Sequence, residues 1–239
     1  QNNIINGQMK VIAEEVNILG NSIAELNEQI QIALASSNGK QPNDLMDQRE
    51  RLITDLSKLV EVNTIEQDGS SVNVFIGRGQ GLVIGNSANE LVIQSGLGDS
   101  SKMELYLNQG NALQEINSQI SGGQLGGMLE FRDQVLDPAI KKLDQIALSI
   151  TETFNQQHRL GVDLEGLKGG NFFEDLNQPN NTYLRVQGDA QNKKPLDRLV
   201  SVHITDTSKL TTDDYRLEFQ GPGNGSFKVF NDSTGEELT

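Results

Sequence analysis

The chain has 239 residues, of which 35% are hydrophobic and 24 are glycine, and it carries a formal charge of −14 with a sequence pI near 4.5. That balance repels phosphate backbones and anionic lipid surfaces, which sets nucleic acid aside, and no stretch approaches the roughly 20 apolar residues that insert across a bilayer. Cysteine is absent, which removes thiolate metal sites, catalytic thiols and disulfides together.

The sequence opens at Gln1 without an initiator Met and enters a helical pattern at once, so it reads as an internal piece of a longer chain. Ile5, Met9, Ile12, Val16, Leu19, Ile23, Leu26 and Ile30 step by four and three without a break, and polar residues fill the positions between. This spacing predicts a helix over about 2–36 with a heptad seam. Ser36 to Gly39 end it. Asn43 is the expected cap of a second helix over about 43–60, with Leu45, Arg49, Leu52, Leu56 and Leu59 on one face. The connection is short enough that the two helices should form an antiparallel hairpin.

From Val60 the apolar period falls to two. Short β-branched runs at Val62–Ile65, Val72–Ile76, Leu82–Ile84, Leu91–Ile93 and Met103–Leu107 are split by turn residues, so a β-hairpin insertion is expected over about 61–108. Helical spacing returns at about 125–158, where Leu136, Ile140, Leu143, Ala147, Ile150 and Phe154 form a third seam. Pro138 removes one amide donor and predicts a bend there, or a helix restart capped by Asp137. A glycine-rich loop from Gly161 to Gly170 follows, anchored by Phe172 and Phe173. A boundary is expected between about Gly188 and Pro195, with strand signals beyond it at Leu199–Ile204, Tyr215–Phe219 and Phe227–Phe230.

The expected fold class is therefore α+β: a long-helix bundle or coiled coil with an inserted β-hairpin region, followed by the start of a separate all-β domain. The expected domains are an elongated helical domain over 1–190 and a partial β domain over 196–239. The packing core is expected at Ile12, Val16, Leu19, Ile23, Leu26, Leu52, Leu56, Leu143, Ala147, Ile150 and Phe154.

No constellation points to catalysis, a cofactor or a metal. Gly77-Arg78-Gly79-Gln80-Gly81 is followed by a strand signal, where a dinucleotide-binding loop needs a helix N-terminus, so it reads as a hairpin turn. His158 and His203 are far apart with no partner at ligand spacing. Glu130, Asp133 and Asp137 fall near one helix face, which on so acidic a chain reads as solvated surface. Asp163-Leu164-Glu165-Gly166 lacks the full ladder of a calcium loop. The competing classes are a secreted carboxylate-dependent glycan hydrolase using Glu130 and Asp133, and a surface adhesin.

Two stretches carry a more specific signal. Pro42-Asn43-Asp44-Leu45-Met46-Asp47-Gln48-Arg49-Glu50-Arg51-Leu52-Ile53, continuing into the Val72–Gly85 hairpin, resembles the flagellar hook-associated protein 1 family. So does Gly122-Gly123-Gln124-Leu125-Gly126-Gly127-Met128-Leu129-Glu130-Phe131-Arg132-Asp133 to Pro138, with Phe154-Asn155-x-x-His158-x-x-Gly161-Val162-Asp163 behind it. The resemblance covers about residues 1–190. It implies a structural subunit of the bacterial flagellum at the hook-filament junction, exported by the flagellar secretion system without a cleaved signal peptide and located outside the cell. The implied partners are the protein itself and other axial proteins, namely the hook protein and the second junction protein. An export chaperone is expected only for the full-length chain, and the fragment is expected to be a monomer.

Overall fold

Thirty-five consecutive residues without proline, with apolar positions recurring at steps of three and four, wind into one helix, α1 (Asn2–Ser36). The computed structural model describes residues 2–36, 41–67, 69–96, 102–110, 112–188, 192, 200–221 and 226–238. The expected turn residues Ser37, Asn38 and Gly39, with Asp68, Leu199 and residues 222–225, lie outside that set. The described chain divides into two compact units, residues 1–134 with 189–196 and residues 135–188 with 197–239.

In the first unit α2 (Asn43–Leu59) packs on α1 across a connection of six residues, which leaves an antiparallel hairpin as the available geometry. Asn43 is the first helical residue and not the cap. Pro42 takes the cap position, and its carbonyl accepts from the amides of Leu45 and Met46 at 3.0 and 3.2 Å. Proline has already fixed its φ, so the helix starts one residue earlier than an asparagine cap at Asn43 would place it.

The β insertion forms two antiparallel sheets. The first runs β1 (Val62–Glu66), β2 (Val72–Ile76), β3 (Gln80–Ile84) and β4 (Ser87–Ala88) in sequence order. The second comprises β5 (Glu90–Ser95), β6 (Met103–Gln109) and β7 (Ala112–Glu115). The insertion thus reaches Glu115, beyond the expected 108. β4 and β7 escaped the sequence reading because Ser87-Ala88 and Ala112 to Glu115 carry no β-branched residue, and they are held by pairing with β3 and β6.

α1 lies across both sheets, and Met9, Val16, Ile23 and Ile30 are fully buried along it. Ile12 and Leu26 join them, with Leu56 from α2. Leu19 and Leu52 are half-buried. Leu19 flanks the most buried line of α1, which runs through Met9, Ala13, Val16, Gly20, Ile23, Asn27 and Ile30, and so it is only partly covered. A Cβ on Gly20 would meet Leu82 of β3 at 3.4 Å, so helix and sheet approach closely there.

The third helical region begins with α3 (Gly123–Phe131), passes through a π-helical turn (Arg132–Leu136), and resumes as α4 (Asp137–Leu160). Asp137 takes the first α-helical position, Leu136 the cap position, and Pro138 lies in the first turn. The division between the two units falls inside this run, between residues 134 and 135. The expected boundary at about 188–195 falls mostly on residues outside the described set.

In the second unit α4 is followed by the short α5 (Pro179–Leu184) and a three-stranded antiparallel sheet of β8 (Tyr215–Phe219), β9 (Phe227–Asn231) and β10 (Glu236–Glu237). Residues 200–204 are not a strand. Val202 donates to Thr182 in α5, and Ile204 is held by Asn177, so their backbone groups are satisfied outside a ladder. Lys141 on α4 bonds Asp214 at 2.6 Å, and Gln145 donates to the Leu210 carbonyl.

Candidate assembly surfaces

Four asparagines share one device: the side-chain amide pairs with both backbone groups of a single distant residue, as a strand neighbour would. Asn17 on α1 donates to the Leu91 carbonyl at 2.9 Å and accepts from its amide at 2.7 Å, closing the open edge of β5. Asn27 does the same to Val72, and adds a bond to the Gly85 carbonyl. In the second unit Asn155 clamps Phe173 at 3.1 and 2.8 Å, and Asn177 clamps Ile204 at 2.9 Å in both directions. Sequence reading treats Asn17 and Asn27 as solvated helix positions, reads Asn177 as part of a turn, and gives Asn155 only within a resemblance.

Around Asn27 the clamp becomes a buried cluster. Arg49 of α2 donates from Nη1 to Asn27 Oδ1 at 2.8 Å and to the Ser70 carbonyl at 2.6 Å. Burial lowers the Arg49 pKa from its ordinary value, and the charge of Glu66 opposes that shift. A helix hairpin and a β-turn are thereby fixed through one guanidinium, whose planar fork suits two acceptors at once. On β6 burial pushes the Tyr106 hydroxyl up to about 12, helped by its hydrogen bond to Glu104 at 2.9 Å and by the charges of Glu104 and Glu115.

The third seam passes from buried to exposed. Leu125, Leu129, Arg132 and Leu136 are buried at steps of four, three and four. The same rhythm continues through Ile140, Leu143, Ala147, Ile150 and Phe154, and all five are exposed, Leu143 to 65% and Phe154 to 56%. The expectation that Leu143, Ala147, Ile150 and Phe154 are buried core is therefore corrected. Among the described residues of the second unit, the element packed against α4 is the short 3-10 turn Thr207–Lys209, and it leaves this stripe exposed. Ile146 widens it.

α1 carries a second stripe that the sequence reading passed over. Ile4, Val11, Ile18 and Ile32 recur at multiples of seven and are all exposed, with Glu25 at the missing step. The signal was present but lay outside the stronger seam, and such isolated apolar residues look like surface noise until the buried face is known.

At the C-terminal end of α4 the return loop is tied down by residues of one helix face. His158 Nδ1 lies 2.8 Å from the Gly170 carbonyl, Arg159 donates to Asn171 at 2.6 Å, and Asn155 holds Phe173. Phe172 stacks edge-on to Phe173 at 5.0 Å and tilts toward His158 at 5.8 Å. A groove of about 520 Å³ opens beside Phe154, His158, Val162 and Phe172. His158 thus serves packing, as its place at a helix end allows.

The residues considered for chemistry do not converge. Glu130 and Asp133 are exposed, Glu130 accepting from Gln134 at 3.2 Å and Asp133 pairing with Arg132. Asp137 is half-buried. Gly77 to Gly79 forms the β2–β3 turn, with the Arg78 backbone amide donating to the Gln119 carbonyl, and Gln80 and Gly81 open β3. Asp163 Oδ1 accepts from the amides of Glu165 and Leu167, as a turn aspartate does. Among the described residues no group of three or more His, Asp or Glu is placed to hold a metal, and no helix is long and apolar enough to cross a membrane.

Long helices with uncovered apolar stripes, braced by small antiparallel sheets, define an α+β module of the kind that packs into larger assemblies. The family model described as the flagellar hook-associated protein FlgK helical domain matches residues 1–173. The chain belongs to that family, flagellar hook-associated protein 1. It is 30% identical over 246 residues to the flagellar hook-associated protein 1 of Escherichia coli K12, covering 99% of this chain and 44% of that one. The Salmonella typhimurium relative is 34% identical over 211 residues, covering 87% of this chain and 36% of its own. The flagellar hook junction protein FlgK from Burkholderia pseudomallei has the same fold, with a TM-score of 0.75 at 30% identity, covering 99% of this chain and 41% of that structure. The chain spans less than half the length of these relatives. None of these likenesses supports a glycan hydrolase or an adhesin.

Proposed function

We propose that this chain is the outer part of a non-enzymatic structural subunit at the junction between flagellar hook and filament, and that it works by packing. Family membership sets the context, and the observation that carries the reading is the α4 stripe from Ile140 to Phe154, a helix seam left open within the chain. Apolar surface of that kind on a well-formed helix is an interaction surface. Its partners are further copies and the neighbouring axial proteins, hook protein and second junction protein, with a chaperone engaging the full-length chain during export. The subunit then acts outside the cell, in the flagellum, after export without a cleaved signal peptide. The 239-residue piece alone is a monomer, because the charge of −14 opposes self-association in the absence of the rest of the assembly.

Deleting the gene of the parent protein tests this. Cells should keep hooks, lose attached filaments and stop swimming, and the intact gene should restore all three. Normal filaments in the deletion strain would overturn the reading.

A further inference from the structure

The helical run that starts at Gly123 and ends at Leu160 changes its hydrogen-bond register once. α3 is α-helical to Phe131, residues Arg132–Leu136 wind as a π-turn, and α-helix resumes at Asp137. Pro138 accounts for the place. It has no amide hydrogen, so the α-type bond to the Gln134 carbonyl cannot form, and its ring crowds that carbonyl. Widening the preceding turn relieves the crowding, as π-bulges do where an α-helix must accommodate a misfit.

The upstream end of the turn is pinned. Arg132 is buried and donates from Nη1 to the Met103 carbonyl at the start of β6, at 2.7 Å, while its Nε pairs with Asp133 at 3.2 Å. Val135–Gly188 belongs to the second compact unit, so a division of the molecule falls inside the same five residues. Register change and unit division are separate observations that coincide.

We propose that the π-turn Arg132–Leu136 is a hinge, at which the helical run bends by exchanging π-type for α-type hydrogen bonds. A regular α-helix resists bending because each amide is committed to the carbonyl four residues back. This turn lacks one such bond and has a second bonding register available, so bending concentrates there while the helix on either side stays stiff. The hinge rests on the geometry of the turn and is independent of the flagellar assignment.

The chain has no cysteine, so spin labels attach only where cysteines are introduced. Gln124→Cys with Lys142→Cys places labels 18 residues apart across the turn, and Lys10→Cys with Glu28→Cys gives the same separation within α1. An unbroken helix sets 18 residues about 27 Å apart. Double electron–electron resonance should give a narrow distribution for the α1 pair and one at least twice as wide across the turn. Pro138→Ala, which restores the amide, should narrow the second to match the first. Equal widths without the substitution, or a width that Pro138→Ala leaves unchanged, would overturn the hinge. Should that variant misfold, amide exchange in the unsubstituted chain decides: exchange at residues 133–137 at least tenfold faster than at 142–150 supports the hinge, and equal protection overturns it.

Discussion

Asn27 of α1 and Arg49 of α2 satisfy each other inside the first unit, 22 residues apart, with Asn27 fully buried and Arg49 5% exposed. The asparagine spends its remaining hydrogen-bonding capacity on Val72 and Gly85, and the arginine its second bond on Ser70. Helix hairpin and first sheet are joined at that point by polar bonds in a region closed to water, where an unmade bond is costly.

Asn27→Ala removes one of the two acceptors of Arg49 and leaves backbone groups of Val72 and Gly85 unpaired, and should cost about 1–3 kcal/mol in chemical denaturation. Arg49→Met should cost less, since it removes the charge along with its partner's need. The double variant should be more stable than the sum of the two losses by about 1 kcal/mol or more. Additive losses would show that the two side chains do not act as a unit.

Two glycines in one motif should behave oppositely. Gly123 has φ +57°, and a Cβ there would lie 2.4 Å from the Leu59 carbonyl carbon, so Gly123→Ala should lower the melting temperature. Gly127 sits in α3 with nothing within 4 Å of a built Cβ, and Gly127→Ala should stabilise by about 0.5–1 kcal/mol through helix propensity. The same direction for both would contradict the placement of α3 against the end of α2.

Tyr106 should titrate late. Its pKa of about 12 lies above that of a free phenol near 10, so its neutral form is favoured in the fold. With a raised folded-state pKa, its contribution to stability is complete below the unfolded value and is lost as pH rises through the folded one. The phenolate absorbance missing from Tyr106→Phe should therefore centre near pH 12, and a missing component near pH 10 would place the ring in water.

The 3–4 rhythm of Ile5 to Ile30 and the six-residue connection predict the α1–α2 hairpin, because helix period and short loops are local properties. Alternating β-branched runs predict β2 at its observed bounds for the same reason. What failed depends on partners. Leu143 and Phe154 have the spacing of core residues, yet Leu143 stays 65% exposed and Phe154, edge-on to Phe173 at 5.9 Å, stays 56% exposed, because spacing encodes amphipathicity without naming the partner. The clamping roles of Asn17, Asn27, Asn155 and Asn177 are not legible locally, since their bonding partners lie between 18 and 74 residues away. Pro138 marked a perturbation at the right place, but the choice of a π-turn over a kink reflects how the carbonyl of Gln134 relaxes.

The open seam separates folding from function in a testable way. Val16→Asp, at a fully buried site on α1, should destabilise by several kcal/mol, at the high end of single substitutions. Ile150→Asp lies at a site 49% exposed and should leave the stability of this chain within about 0.5 kcal/mol. Comparable losses at the two positions would mean that α4 is covered after all.

The most direct measurement puts Leu143→Asp and Ile150→Asp together into the full-length protein of a motile strain and images the flagella. The predicted result is a variant that is exported at normal levels and keeps the melting temperature of this chain, in cells whose hooks carry no filament. Full-length filaments and unimpaired swimming would contradict the claim that this exposed helix face does the protein's work.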